Sequence, residues 1–321
     1  IRDSYRPNRT DMRQPKSFIQ LMNSLHDEKS CREFLETHRW HGMPKCPYCN
    51  HESKGHYKLN RNGEFNGLYK CRNCKKTFTV TKGTIFERSN APLKSWFYAI
   101  HMLLSHKKGI SSIQLSKDIG VTLKTAWYML QKIRCNLNGE LEDILDSYGG
   151  IVQVDETYVG GKTKGKIWQN QGRSLKQKVP VVGLLTEDKV NSFVVTDTSG
   201  NTLKALIYAL IKPGSIVVTD GWKGYKGISN MYYHKIVNHN KGSYKNKEGY
   251  HTNGIEGFWS MLKRGIKSTY HVVSHKYLQM YCDEFSYKYT TRKMGEIERF
   301  VHFISKKHRQ ITHSMLTGGY G

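Results

Sequence analysis

Four cysteines in two identical pairs constrain this chain more than any other feature. The stretches CPYC and CRNC hold two residues inside each pair and 21 residues between the pairs, at Cys46, Cys49, Cys71 and Cys74. Two tight turns of this spacing can bring four thiolates together around one Zn²⁺ ion, with Zn–S distances of about 2.3 Å. Four protein ligands leave no position for a substrate, so the sequence predicts one structural zinc ion in a small ribbon.

The other three cysteines, Cys31, Cys135 and Cys282, are scattered through segments with helical patterns. This arrangement is unlike a disulfide framework. We interpret these cysteines as small buried hydrophobic residues.

The chain carries a large excess of positive charge, with 51 Lys and Arg against 26 Asp and Glu and a formal net charge of +25. Such a surface favours polyanionic partners, above all nucleic acid. No run approaches the roughly 18 apolar residues of a spanning helix, and the N-terminal stretch has no signal-peptide core. We therefore expect a cytoplasmic protein without a membrane partner. The chain begins at Ile1 rather than Met, so we also expect residues upstream of it.

The 321 residues are long enough for more than one domain. Apolar periodicity divides them into four predicted parts. Residues 1–40 hold two short amphipathic helices, and residues 41–90 form the zinc ribbon with short strands. Residues 91–147 are helical. Residues 148–321 combine apolar strands with helices, which indicates an α/β domain with a mixed sheet, flanking helices and further C-terminal helices.

Two short helices in the third part are joined across Gly120, the spacing of a helix-turn-helix, with Thr122 as the N-cap of the second helix. Leu123, Trp127, Leu130 and Ile133 are predicted to face inward. The opposite face would then read the DNA major groove with Lys124, Thr125, Tyr128, Gln131 and Lys132. Ordinary packing within a helical bundle is the alternative interpretation.

Three acidic residues in the fourth part are candidates for a second metal centre. Asp155 and Asp220 each end an apolar strand, and Glu256 lies early in a helix, with Lys263 about two turns later on the same side. Taken singly, either aspartate fits a surface turn better. Together the three carboxylates can hold two Mg²⁺ or Mn²⁺ ions about 3.5–4 Å apart, the arrangement used in phosphodiester displacement.

Several neighbouring residues have less specific signals. Glu156 could compete with Asp155, but adjacent strand residues point to opposite faces, so only one can join the cage. A basic hairpin over 160–178 could line a DNA channel or be a solvated loop; its cations are Lys162, Lys164, Lys166, Arg173, Lys176 and Lys178. Three aromatic residues could stack on an extruded base, although burial beside the acids is favoured: Trp222, Tyr225 and Trp259.

The motifs VDETYVGGK, VVTDGWKGY, HTNGIEGFWSMLKRG and YLQMYCDEFSYKY, with CPYC, CRNC and GTIFERS, form a specific combination. Over roughly residues 17 to 305 the chain resembles the bacterial insertion-sequence transposases related to the eukaryotic Merlin elements, the ISXO2-like family. The resemblance implies an RNase H-like catalytic domain with an Asp-Asp-Glu triad at Asp155, Asp220 and Glu256.

Some relatives use an asparagine near the third acid, and Asn253 is present as well as Glu256. We favour Glu256, because a charged oxygen binds Mg²⁺ better than an amide does. Asn253 is then a candidate DNA contact, as are Lys263, which matches the basic position after the glutamate, and Arg264.

The resemblance implies cut-and-paste transposition. The N-terminal parts would bind the terminal inverted repeats of the element as double-stranded DNA, and the acidic site would hydrolyse the element end and join it to target DNA. A homodimer or larger assembly on nucleoid DNA is expected. The alternatives are a structure-selective nuclease of the same fold and a domesticated DNA-binding regulator that has lost catalysis.

Overall fold

A computed structural model describes residues 15, 17–137, 148–160, 178–237, 246 and 248–318. Within these ranges the elements, in chain order, are α1 (Phe18–Ser24), α2 (Glu28–Trp40), β1 (Tyr57–Arg61), β2 (Glu64–Lys70), β3 (Thr77–Phe78), α3 (Leu93–Ser105), α4 (Ser112–Ile119), α5 (Leu123–Arg134), β4 (Ile151–Val159), β5 (Val179–Leu185), β6 (Val190–Val194), α6 (Gly200–Leu210), β7 (Ile216–Asp220), β8 (Tyr233–Val237), α7 (Asn253–Gly265), α8 (Leu278–Thr290), α9 (Glu296–Ser305) and α10 (His313–Gly318). No helix of the described residues is both long enough and apolar enough to cross a membrane.

The N-terminal helices and the ribbon share one apolar core. Strands β1, β2 and β3 form an antiparallel sheet, and helices α1 and α2 begin at side-chain caps from Ser17 and Asp27. Their buried residues join those of α3 and α5 in a single cluster that also takes in Phe300, Phe303 and Ile304 of α9. The C-terminal helix α9 therefore packs against the N-terminal part of the chain.

Helices α4 and α5 form the predicted pair. Gly120 ends α4 in the left-handed conformation, with φ of 66°, and the Thr122 hydroxyl accepts a hydrogen bond from the Thr125 N–H at the start of α5. A side chain at position 120 would be strained in this conformation, which is why glycine suits the turn.

The predicted outward face of α5 is wrong in its second half. Gln131 and Lys132 are buried, with Lys132 only 3% exposed, whereas Leu123 is 53% exposed. Two contacts explain this. The C-terminal segment lies beside Tyr128 and Lys132, where the Tyr128 hydroxyl donates to the Ile311 carbonyl at 2.8 Å, and Gln131 accepts from the buried Arg134 guanidinium at 3.3 Å. Local periodicity could not reveal a partner that lies almost 200 residues away in sequence.

The second sheet has the strand order β6-β5-β4-β7-β8. Strands β4, β5 and β6 pair antiparallel, while β7 and β8 run parallel to β4. This mixed order, with helices on both faces, is the RNase H-like arrangement that the resemblance implies. Helix α6 covers one face and helix α7 the other, each over its own apolar cluster.

The outer edge of this sheet at β6 is closed by helix α8. Gln279 accepts a hydrogen bond from the Val194 N–H and donates one to the Ser192 carbonyl, both at 2.8 Å. Thr290 accepts from the Val190 N–H at 3.2 Å. These side chains satisfy backbone groups that a further strand would otherwise pair, so α8 is fixed to the sheet along its length.

A buried charge network joins α8 to α5. The Glu284 carboxylate accepts from the Arg134 guanidinium at 2.7 Å, from the Tyr270 hydroxyl at 2.8 Å and from the Lys288 ammonium. Burial alone would raise the pKa of Glu284, but the charges of Lys288 and Arg134 hold it below its usual value. The loop at Gly109 closes over this network, because a Cβ there would collide with the Tyr270 hydroxyl.

We expect Glu284→Gln to destabilise the protein by about 3–5 kcal/mol, because it leaves two buried cations without their shared counter-charge. Denaturant unfolding of the zinc-loaded protein measures this change. The exposed Glu296→Gln serves as the matched control and should alter stability by about 0.5 kcal/mol or less. A loss below about 1 kcal/mol for Glu284→Gln would show that the network contributes little.

Candidate active site and metal centres

The four paired cysteines meet in the ribbon as the sequence predicts. Cys46 Sγ lies 3.6 Å from Cys74 Sγ, Cys49 Sγ lies 3.6 Å from Cys71 Sγ, and all four sulfurs lie within 4.8 Å of one another. Sulfurs at the corners of a zinc tetrahedron with 2.3 Å bonds are roughly 3.8 Å apart. The geometry therefore fits a single structural Zn²⁺.

The two cysteine turns have the same backbone design. The Cys46 carbonyl accepts from the Asn50 N–H at 2.9 Å, and the Cys71 carbonyl accepts from the Lys75 N–H at 3.1 Å. Asn50 and Lys75 both adopt positive φ, 57° and 62°. Each turn thereby directs two sulfurs to one point, which a zinc ion must stabilise because the ribbon has little core of its own.

The ribbon should unfold when its metal is removed. We expect one zinc per chain in protein purified without chelator, and we expect Cys46→Ser to lose that zinc and the ribbon structure, because the remaining ligands cannot close the tetrahedron. Elemental analysis and circular dichroism measure both effects. Cys135→Ala is the control, since Cys135 lies outside the cluster and contacts Met280. Protein that folds normally without zinc would contradict this assignment.

Cys31 and Cys282 are fully buried, as expected, while Cys135 is only half-buried. All seven cysteines are free thiols in the described structure.

Asp155 and Asp220 lie side by side on neighbouring parallel strands. Strand β4 pairs with β7 in the register Ile151↔Ile216 to Gln153↔Val218, so continuing it by two residues sets Asp155 beside Asp220. Side chains at equal register of parallel strands project from the same face of the sheet. One detail of the sequence prediction is wrong: β4 continues to Val159 rather than ending at Asp155, because β5 pairs with it over that length.

Helix α7 is anchored to the same face of β4 at two points. The Gln153 Oε1 atom accepts from the Ile255 N–H at 3.0 Å, and the Asp155 Oδ2 atom accepts from the Trp259 indole N–H at 3.0 Å. Trp259 contacts Asp155, and the charge of Lys263 interacts with it. Glu256 lies three residues before Trp259, so it is on a neighbouring part of the same helix surface. Glu256 is exposed, and its Oε1 atom accepts from the Thr252 hydroxyl at 2.8 Å.

Asp155 and Glu156 point to opposite faces, as the strand alternation predicts. Glu156 is buried under α6, where its Oε2 atom accepts from the Tyr225 hydroxyl at 2.7 Å. Tyr225 and Trp259 are both buried beside the acids, in agreement with the favoured interpretation, and Trp222 is about one-third exposed. Glu156 therefore contributes negative charge to the region from behind the sheet.

The three acids do not form a closed cluster: in the described part of the chain, only the four cysteines bring three or more metal-binding groups within 4.8 Å of one another. Asp155 and Asp220 nevertheless interact electrostatically. Burial raises the pKa of Asp155 to about 7, and the charges of Glu156 and Asp220 add to this effect. Burial and repulsion from a neighbouring carboxylate both disfavour the ionised form of Asp155. A divalent cation bound there would offset both effects, so this environment suits one.

The pKa of Lys263 on α7 also depends on the charges around Asp155. Partial burial lowers the pKa of Lys263, and repulsion from Lys178 adds to this, while the charge of Asp155 opposes it. Lys178 is the one cation of the predicted basic hairpin inside the described residues; Lys162, Lys164, Lys166, Arg173 and Lys176 lie outside them. A basic margin thus adjoins the acidic pair.

Replacing Asp155 with Asn should change how stability depends on pH. The pKa of Asp155 is about 7 in the folded state and about 3.9 in an unfolded chain. The folded state therefore binds more protons between these values, and this carboxyl makes stability fall as pH rises from about 4 to 7.

Thermal unfolding without added Mg²⁺ should accordingly show Asp155→Asn gaining stability over wild type as pH rises, by a few kcal/mol above pH 7. Asp188→Asn is the control, because Asp188 is exposed and Lys293 lowers its pKa. A difference between Asp155→Asn and wild type that stays constant from pH 4 to 8 would contradict the raised pKa.

The predicted DNA-contacting residues fall into two groups. Lys124, Asn253, Lys263 and Arg264 are exposed, and Thr125 is half-buried. Tyr128 and Lys132 are covered by the C-terminal segment, so they are not part of an accessible reading face.

Sequence reasoning missed Gln153 and Gly183 at the acidic site. Gln153 caps the start of α7, and Gly183 of β5 pairs with Asp155 and lies under the Trp259 ring. A glycine inside the apolar run VPVVGLL was an available signal, because glycine in a strand marks close approach of another group.

These features define a class: a zinc-ribbon protein whose RNase H-like domain carries paired aspartates and a helix glutamate beside basic residues. The sequence pattern of the ISXO2-like transposase domain matches residues 148–290, and that of the transposase zinc-ribbon domain matches residues 26–77. Over these two segments the chain is similar to the ISXO2-like transposases and their zinc ribbon.

Two curated proteins are similar to this chain. An uncharacterized protein in transposable element ISH50 of Halobacterium salinarum is 26% identical over 254 residues, covering 74% of this chain and 83% of the relative. An uncharacterized transposase-like protein of Haemophilus influenzae is 26% identical over 107 residues, covering 33% of this chain and 85% of the relative.

Solved structures of Mos1 are more distant. The Mos1 strand transfer complex has a TM-score of 0.27 and 11% identity, over 65% of this chain and 74% of that one. A pre-cleavage Mos1 transpososome has a TM-score of 0.23 and 11% identity, over 67% of this chain and 80% of that one. Neither similarity bears on the assignments made above.

Proposed function

We propose that this protein is a DNA transposase that cleaves the ends of its own element and joins them to target DNA. The observation that carries this proposal is that Asp155 and Asp220 lie on neighbouring parallel strands and interact electrostatically, with α7 bonded to Asp155 through Trp259. The similarity to the ISXO2-like transposase domain suggests the reaction class.

Asp155, Asp220 and Glu256 would hold two Mg²⁺ or Mn²⁺ ions. Their oxygen donors are the hard ligands that these ions prefer. Burial, with the charges of Glu156 and Asp220, raises the pKa of Asp155, and a bound cation would oppose that effect. Bound there, such ions lower the pKa of an attacking hydroxyl and stabilise the leaving oxygen.

The chain's own residues position the DNA strand for two successive reactions. In the first, water attacks the phosphorus at the element end, and the bond to the 3′ oxygen breaks and leaves a 3′-hydroxyl. In the second, that hydroxyl attacks a target phosphodiester, forming the new bond and releasing a target 3′-hydroxyl. Lys263, Arg264 and Asn253 on the exposed side of α7 would contact the backbone near these bonds.

End recognition would lie with the zinc ribbon and the start of α5. Lys124 and Thr125 occupy the first turn of that helix, the end that reads base edges in helix-turn-helix proteins, and they stand outside the surface that the C-terminal segment covers. We propose that two copies act together, because both element ends must be joined to one target.

Cleavage and joining should depend on the acids while end binding should not. We expect Asp155→Ala, Asp220→Ala and Glu256→Ala each to reduce cleavage by about a hundredfold or more, since each removes charge needed in the transition state. Labelled duplexes carrying the inverted repeats that flank the gene measure cleavage on gels and binding by fluorescence anisotropy. Asn253→Ala compares the two candidates on α7: as a DNA contact, Asn253 should affect cleavage far less than Glu256 does. If Asn253→Ala abolishes cleavage and Glu256→Ala does not, Asn253 replaces Glu256 as the third ligand.

The same assay separates the competing functions. Cleavage without joining of the 3′-hydroxyl to a second duplex would indicate a nuclease, and end binding without cleavage in wild type would indicate a regulator. Lys124→Ala should weaken end binding and reduce the salt slope by about one. Lys293→Ala should change neither, because Lys293 is paired with Asp188 on the catalytic domain.

A further inference from the structure

The indole of Trp259 makes a directed contact with one oxygen of Asp155. Trp259 Nε1 donates to Asp155 Oδ2 at 3.0 Å, and the indole is only 5% exposed. A buried indole N–H needs an acceptor, and here that acceptor is a carboxylate of the acidic pair. The contact joins the middle of α7 to the middle of β4.

The sheet is shaped to admit this ring. Gly183 is the residue of β5 that pairs with Asp155, and a Cβ built there would lie 2.7 Å from Trp259 Cζ2 and Cη2. Real Cβ atoms do not approach carbon so closely, so any larger residue at 183 must displace the ring. Because Gly183 has no side chain, the Trp259 indole can lie beside Asp155.

The hydrogen bond limits how the carboxylate can turn. Rotation about the Cβ–Cγ bond exchanges the two oxygens of an aspartate, and a donor fixed to Oδ2 removes that freedom. The other oxygen, Oδ1, is then held in one orientation. Partners of this kind orient ligand groups, and their removal costs about 10–100-fold in metal affinity or activity.

We propose that Trp259 is a positioning residue that fixes the Asp155 carboxylate for divalent metal binding, and that Gly183 acts through Trp259 by leaving space for its ring. This inference rests on the proposed function, because it takes Asp155 as a metal ligand. Trp259 itself touches neither metal nor DNA in this assignment.

The test measures Mn²⁺ binding to zinc-loaded protein by isothermal titration calorimetry, independently of activity. We expect Trp259→Phe, which keeps an aromatic ring but removes the N–H, to weaken Mn²⁺ binding about tenfold or more. Trp96→Phe is the matched control: Trp96 is equally buried, and its indole N–H donates to Ser89 at 2.8 Å, far from the acids in the fold. It should leave Mn²⁺ affinity unchanged.

Gly183→Ala provides a second, independent variant. We expect it to weaken Mn²⁺ binding as Trp259→Phe does, and to add little further loss in the double variant, because both act on the same hydrogen bond. Gly257→Ala is its control, since a Cβ at Gly257 meets no atom within 4 Å. Thermal unfolding confirms that each variant is folded.

The outcomes are separable. Unchanged Mn²⁺ affinity in folded Trp259→Phe and Gly183→Ala, with Asp155→Ala abolishing the site, would overturn the positioning role and leave the proposed function standing. A wild-type protein with no Mn²⁺ site that Asp155→Ala removes would overturn both. Loss of affinity in Trp96→Phe as large as in Trp259→Phe would show a general effect of stability and would also reject the positioning role.

Discussion

The buried carboxylate of Glu284 is the contact on which the arrangement of the whole chain depends. It binds Arg134 from α5, Lys288 from its own helix and the Tyr270 hydroxyl from the turn after α7. Because an ion in this environment is costly without its partners, the three elements must dock together. The helix proposed to read DNA and the helix proposed to carry Glu256 are thus joined through one buried group.

Helix α8 contacts both the second sheet and α5. Its Gln279 and Thr290 side chains bond the backbone of the edge strand β6, and Glu284 binds α5. Helix α9 then returns to the N-terminal core, where Phe300 packs between Phe34 and Phe97. In the described residues, the ribbon, the helix pair and the second sheet are therefore connected through shared side-chain contacts.

Prediction from sequence succeeded wherever a pattern was local. The cysteine pairs, the cap at Thr122 and the apolar strand that ends at Asp220 each follow from residues close in the chain. It failed where a distant segment changed the environment. Lys132 looked exposed by helical periodicity, but the C-terminal segment covers it, and β4 was predicted to end at Asp155 because its pairing with β5 was not visible locally.

The sequence by itself identified the four paired cysteines as candidate zinc ligands, the mixed α/β character of the C-terminal part and the three candidate acids, because residue type, spacing and the family motifs carry this information locally. Only the tertiary structure decided which oxygens and donors meet: the Gln153 and Trp259 contacts that hold α7, the space at Gly183 and the counter-ions of Glu284. Those contacts join residues up to 150 positions apart. Their formation depends on how the sheet and helices pack, which no local pattern contains.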